Sequence, residues 1–281
     1  MVCKVTKKRR EEQIKPVNIP FLKRVWLLFA RKVLNLPPIM AGETFRFQKF
    51  SVQHGRSSMR VGTDAVLLGT WAEVQQLQAL AQASVLDIGC GCGVISLMVA
   101  QRCPHAQVLG VDIDAPSIEE ATQNALQSPF AHRVRFRLAD IRDMAAEPAC
   151  GRFDLILCNP PYYTEDTLPP EQRRSRARNA LHLSFGSLVD SVCRIMSEHG
   201  TFALIIPMQE RDIFVSEALA KGLHISRECR VQTVQRKQPK RVMLEFRFHP
   251  TDHFAPSYLT LQSSDGSRTQ EYSLLCKDFY L

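Results

Sequence analysis

Ser84-Val85-Leu86-Asp87-Ile88-Gly89-Cys90-Gly91-Cys92-Gly93 is the stretch that decides the fold. A short apolar run that ends in glycines reads as a buried strand. The amphipathic segment after it, about 94 to 102, reads as a helix whose free N–H groups face the loop. Downstream, strands at about 107 to 112, 133 to 138, 153 to 158 and 201 to 206 alternate with helices at about 116 to 127, 186 to 197 and 209 to 220. That alternation predicts an α/β fold with a parallel sheet covered by helices on both faces. A last pair of strands, about 223 to 231 and 241 to 248, is joined by Gln235-Arg236-Lys237-Gln238-Pro239-Lys240 and reads as an antiparallel hairpin. Upstream, Phe45, Phe47 and Phe50 suggest a short strand or hairpin, followed by a turn at His54-Gly55. A helix from about 65 to 80 comes next, with Thr63 or Asp64 available to cap it.

In a doubly wound sheet, ligands bind beyond the carboxyl ends of the strands, and several distinctive residues fall there. Gly89, Gly91 and Gly93 let the backbone turn sharply and approach a ligand closely. Ser96 stands where a dinucleotide fingerprint wants its third glycine, so the loop fits the shorter kind that receives the amino-acid end of S-adenosylmethionine. Asp112 ends its strand about twenty residues on, where a carboxylate can accept from ribose hydroxyls. Asp114 is placed to cap the next helix, and Asp140 ends the following strand, where it can accept from an exocyclic amine or form a turn.

The run Phe153 to Cys158 ends in Asn159-Pro160-Pro161-Tyr162. Two prolines fix the backbone and remove donors, leaving carbonyls presented as acceptors. The Asn159 side-chain oxygen and the Pro160 carbonyl can together accept both hydrogens of a planar –NH2 group, and Tyr162 offers a face for a ring to stack on. A methyl donor would then lie opposite an aromatic amine or amide nitrogen. No metal or covalent nucleophile is required.

The chain has 281 residues and a net charge of +8, but that charge is unevenly spread. Residues 1 to 39 hold ten Lys or Arg against Glu11 and Glu12, while the remainder holds 26 basic and 26 acidic side chains. Whole-chain basicity therefore says nothing about the α/β body, although local patches can still meet phosphates. The sequence divides into a basic extension at 1 to 40, a disordered or dispensable arm or an unused start before Met40, and a body at 41 to 281. Val25 to Ala30 is too short to span a bilayer and no secretory cleavage site follows it, so the protein reads as cytoplasmic. The nine cysteines are scattered and odd in number, which suits reduced thiols. Cys90 and Cys92 have no second pair at ligand spacing, so no metal is expected.

Together these motifs resemble the Rossmann-like class I S-adenosylmethionine-dependent methyltransferases that modify planar amines. The segment Phe45-Arg46-Phe47-Gln48-Lys49-Phe50-Ser51-Val52-Gln53-His54-Gly55-Arg56, followed by Met59 to Gly69, narrows the likeness. So do Gln127-Ser128-Pro129-Phe130-Ala131 and Phe279-Tyr280. These stretches resemble bacterial tRNA1(Val) adenine-37 N6-methyltransferases. The resemblance runs from about 43 to 281. It implies a seven-stranded, mostly parallel sheet with the C-terminal hairpin, S-adenosylmethionine as cofactor, and the anticodon loop of valine tRNA as partner of a monomer. It further implies a cofactor loop at Gly89, Gly91 and Gly93, with Asp112 on the ribose, Asp140 on the adenine, and Asp87, Ile113 and Ile141 in the same binding set. Asn159, Pro160 and Tyr162 would hold the target base, with Asn159 also beside the cofactor, and Gly62-Thr63-Asp64 would close over it. Cys92 departs from the Ser or Thr common in that loop, and the extension before residue 40 has no counterpart.

Arg173, Arg174, Arg176 and Arg178 after the tetrad, and Arg236, Lys237, Lys240 and Arg241 in the hairpin, are candidate phosphate contacts or solvated faces. Three other readings stay open. An rRNA or DNA base suits the tetrad equally well. A protein glutamine also suits it, although 39 irregular basic residues cannot form the helical bundle of such enzymes. A non-catalytic RNA-binding module would predict decay of the loop or tetrad, and both are intact.

Overall fold

The computed structural model describes residues 44–57, 60–148, 150–160, 183–251 and 254–281. The basic extension, Tyr162 and the arginines at 173 to 178 lie outside them.

The first core strand, β3 (Ala83–Ile88), is buried on both faces. Val85 points to one hydrophobic cluster, and Leu86 and Ile88 to the other, as the two-residue period of a strand requires. Five parallel strands make up this centre in the order β7 (Met196–Pro207), β6 (Phe153–Cys158), β3, β4 (Ala106–Asp112) and β5 (Val134–Leu138). Beyond β7 lies the expected antiparallel hairpin, β9 (Arg241–Arg247) and β8 (His224–Val234). The sheet has eight strands rather than seven, because β10 (Ser257–Gln262) pairs in parallel with β8.

On one face lie α1 (Thr63–Trp71), α3 (Val94–Arg102), α4 (Ala115–Leu126) and the small hairpin of β1 (Thr44–Arg46) and β2 (Ser51–Gln53). The other face carries the one-turn α5 (Ile141–Met144), α6 (Phe185–Ile195) and α7 (Arg211–Ala220). Helix α6 shows the sequence logic plainly. Ser184 caps it by accepting from the Ser187 N–H at 3.2 Å, and Leu188, Val189, Val192 and Ile195 form one buried stripe.

The helix expected over 65 to 80 is two helices, α1 and α2 (Gln75–Gln78). No Gly or Pro breaks it; distant side chains do. Arg102 donates to the carbonyls of Gly69 and Ala72 at 3.0 and 2.8 Å, and the buried Glu245 carboxylate accepts the Glu73 N–H at 2.7 Å. The cap also differs: Gly62 is the N-cap and offers no side chain. Asp64 lies in the first turn and accepts from Arg241 Nε at 2.8 Å.

The glycines of β4 and of the β3–α3 loop divide by what they face. A Cβ on Gly93 would stand 2.5 Å from the Phe136 ring, and one on Gly110 would stand closer still. Both therefore make room for Phe136. Gly110→Ala is expected to cost about 1–3 kcal/mol as a lowered melting temperature, with partial rescue by Phe136→Leu. An unchanged melting temperature would refute this packing role.

Candidate active site

After β3 the chain turns through three glycines at positive φ: Gly89 at 68°, Gly91 at 51° and Gly93 at 82°. A Cβ at Gly89 or Gly91 would meet nothing within 4 Å, so this backbone lines open space. The loop hangs from β4, with Gly89 and Cys90 N–H groups donating to the Val111 carbonyl at 2.9 and 3.0 Å. Asp112 completes the suspension. Its Oδ2 accepts from Gly91 N at 2.9 Å and its Oδ1 from Asp114 N at 2.9 Å. Asp114 caps α4, as expected, by accepting from Ser117 N at 3.0 Å.

Beneath the loop, Asp87 is fully buried, and its Oδ2 accepts from Ser96 N and Oγ at 3.0 and 2.6 Å. Its Oδ1 is buried with no hydrogen-bond partner among the described residues. Burial pushes this carboxyl up to about 7, against the pull of the Ser96 hydrogen bonds. Because the folded value lies above the unfolded one of about 3.9, the stabilisation is complete below that pH and is lost as pH rises through 7. Melting temperature is therefore expected to fall between about pH 4 and 7 in the native protein and to fall less in Asp87→Asn. Equal slopes would contradict it. Burial likewise raises the thiols of Cys90, Cys92 and Cys158, Cys92 to about 12. Among the described residues, no group of three or more His, Cys, Asp or Glu is placed to hold a metal ion.

Along the strand ends, Ile113 and Leu138 are large apolar side chains left 53% and 51% exposed, which makes an apolar rim beside Asp112. Asp140 caps α5 through Arg142 N at 2.9 Å, and its carboxylate also binds the Arg142 guanidinium, which holds its pKa low. Ile141 is 4% exposed and packs in the core, so its side chain is not brought to the open face. Cys158 is in register with Ile88, so Asn159 leaves β6 directly beside Gly89. Asn159 is almost fully buried and Pro160 half-buried.

Gly62, Thr63 and Asp64 reach the same edge. Gly69 packs on Met98 and Arg102 grips the end of α1, so α1 and α3 run side by side in the same direction and both begin at the carboxyl ends of the strands. The Asp64–Arg241 pair places this start next to the end of β7, since Arg241 is in register with Pro207.

Two residues that sequence reading passes over join these parts. Glu120 on α4 accepts the N–H groups of Gly55, Arg56 and Ser57 at 2.9 to 3.0 Å. Asn124, one turn later, accepts from Gln53 N at 2.9 Å and donates to the carbonyls of Gln53 and Cys92 at 2.8 and 2.9 Å. Their i, i+4 spacing on one helix face is visible in the sequence, but a polar pair there ordinarily faces solvent.

The fold is that of the class I methyltransferases. The structure superposes on a predicted O-methyltransferase from Agrobacterium tumefaciens with a TM-score of 0.53 and 21% identity, over 77% of this chain and 96% of that one, which speaks to the fold alone. Residues 62–175 match the methyltransferase small domain. The sequence is 40% identical to a tRNA1(Val) (adenine(37)-N6)-methyltransferase of Phocaeicola vulgatus, over 86% of this chain and 99% of that relative. It is 36% identical to one of Bacteroides fragilis, with the same coverage, and 35% identical to one of Vibrio campbellii, over 84% of this chain and 95% of the relative. The chain belongs to the tRNA1(Val) (adenine(37)-N6)-methyltransferase family.

S-adenosylmethionine is the cofactor of this fold and family, and the residues present suit it. Gly89 and Gly91 leave open a cradle that side chains would fill, an acidic acceptor stands at Asp112, and the exposed Ile113 and Leu138 offer an apolar rim for a purine.

Proposed function

We propose that this protein methylates the exocyclic N6 amine of adenine-37 in the anticodon loop of valine tRNA, with S-adenosylmethionine as donor. The observation that carries the reading is the placement of Asn159 and Pro160 at the end of β6, beside the open glycine loop of β3. Bound there, the donor would supply an electrophilic methyl group: the C–N bond forms as the S–CH3 bond breaks, S-adenosylhomocysteine leaves, and one amine proton is lost to solvent; everything else is positioning. An aromatic amine is a poor nucleophile because its lone pair is shared with the ring. The Asn159 side-chain oxygen and the Pro160 carbonyl accept its two hydrogens, draw the nitrogen out of the ring plane and aim the lone pair at the methyl carbon. Tyr162 stacks on the base, and Asp112, Asp140, Ile113 and the 62–64 segment hold the donor. In this reading the catalytic body spans residues 41–281 and works as a cytoplasmic monomer, with residues 1–40 as an appendage.

Other polymers also carry planar amines. Incubating the protein with labelled donor and unmodified valine tRNA, then identifying the labelled nucleoside, decides the matter: N6-methyladenosine supports the reading and any other product refutes it.

Substrate RNA meets a positive edge in this reading. β8 ends and β9 begins at the same edge of the sheet as Asn159, so the connection carrying Arg236, Lys237 and Lys240 projects on the active-site side. Reversing these three charges is expected to weaken tRNA binding and flatten the slope of log affinity against log salt by roughly 2, since each phosphate neutralised on a single strand contributes about 0.7. Unchanged binding and slope would assign the loop to solvent.

A further inference from the structure

Residues 53–57 form a strap that leaves the β1–β2 hairpin and lies over α4. It is held differently from the hairpin before it. Phe47, Phe50 and Val52 sink into the core, whereas the strap is attached by hydrogen bonds to two buried polar side chains of a single helix, Glu120 and Asn124, each 1% exposed. Both Glu120 oxygens are used: Oε1 accepts from Gly55 and Arg56, and Oε2 accepts from Ser57. Outside this, Arg56 pairs with Glu119, but both are exposed, so that pair contributes little. The His54 ring takes the Val61 N–H at 3.4 Å, which ties residue 61 directly to the strap.

We propose that Glu120 is a positioning residue for cofactor capture: by clipping the strap to α4 it sets residues 60–64 at their distance from the glycine loop before the cofactor arrives. This rests on the reading that the 62–64 segment closes over S-adenosylmethionine. Two features support it. Helix α4 starts at the Asp112–Asp114 corner, so the body that carries the ribose acceptor also carries the clip. Asn124 binds the strap and Cys92 of the glycine loop at once, so the two walls of the slot share one bracket.

The test is calorimetric titration of the full chain with S-adenosylhomocysteine, comparing the native protein, Glu120→Gln and Glu228→Gln. Glu228, on β8 four strands away from β3, is an equally buried carboxylate, held by Arg211 of α7 and Arg230 of its own strand. Glu120→Gln turns one acceptor into a donor facing Ser57 N–H and is expected to weaken binding about tenfold or more, with kcat at saturating cofactor within about twofold of native. Glu228→Gln is expected to lower the melting temperature while keeping native affinity. If Glu120→Gln loses stability and keeps native affinity, Glu120 is only structural and the proposal falls. Hydrogen exchange on the native protein covers the case where Glu120→Gln does not fold. Saturating S-adenosylhomocysteine should slow exchange at Gly55, Arg56 and Ser57, and unchanged exchange there overturns the clip. A native protein that fails to bind S-adenosylhomocysteine overturns the cofactor reading itself and the proposal with it.

Discussion

Asn159→Ala is expected to lower methyl transfer to tRNA by at least about 10²-fold, the order seen when one oriented hydrogen-bonding group is removed from a transition state. Binding of S-adenosylhomocysteine should stay within a few-fold of native. The expectation follows from what the amide does: its oxygen is half of the pair that pulls the target nitrogen out of conjugation, and without it the Pro160 carbonyl holds one hydrogen and the lone pair remains in the ring. Asn159 sits where β6 meets β3, nearly buried. Single-turnover rates beside a binding isotherm separate the two effects. A variant that keeps its rate while losing cofactor would move Asn159 from the acceptor's side to the donor's.

Asp112→Ala should show the opposite pattern, a cofactor affinity lower by about 10²-fold with tRNA binding unchanged. Two losses combine. The ribose loses an acceptor, and the glycine loop loses its tether, because the same carboxylate holds Gly91 N and Asp114 N at 2.9 Å each. Hydrogen bonds to a charged group are worth about 1.5–3 kcal/mol apiece, which reaches that magnitude when one or two are removed. Asp112→Asn keeps one acceptor and turns its other end into a donor facing an N–H, so its affinity should fall between the two. Native affinity in Asp112→Ala would detach this residue from the cofactor.

Much of this is legible in the sequence because parallel strands buried on both faces announce themselves as apolar runs, and because the glycines, Asp112 and Asn159 stand where such runs stop. What is hidden has tertiary causes. Nothing in Ala72-Glu73-Val74 stops a helix; Arg102 and Glu245, from distant elements, do. Gly93 and Gly89 look alike in sequence, yet one makes room for Phe136 and the other faces open space. Glu120 reads as a surface residue until the strap covers it. Strand β10 is a different case, since Tyr258-Leu259-Thr260-Leu261-Gln262 alternates as a half-buried strand should, and Thr269 is a helix cap before α8 (Gln270–Leu275). Both signals are local, and a seven-stranded expectation leaves them without a place.

Unmodified valine tRNA incubated with the protein and methyl-labelled S-adenosylmethionine, then cut to defined oligonucleotides whose labelled fragment is digested to nucleosides, is predicted to place the label in N6-methyladenosine at position 37, and to do so with native protein but not with Asn159→Ala. Label in any other nucleoside, label at a different adenine, or equal transfer by Asn159→Ala would contradict it.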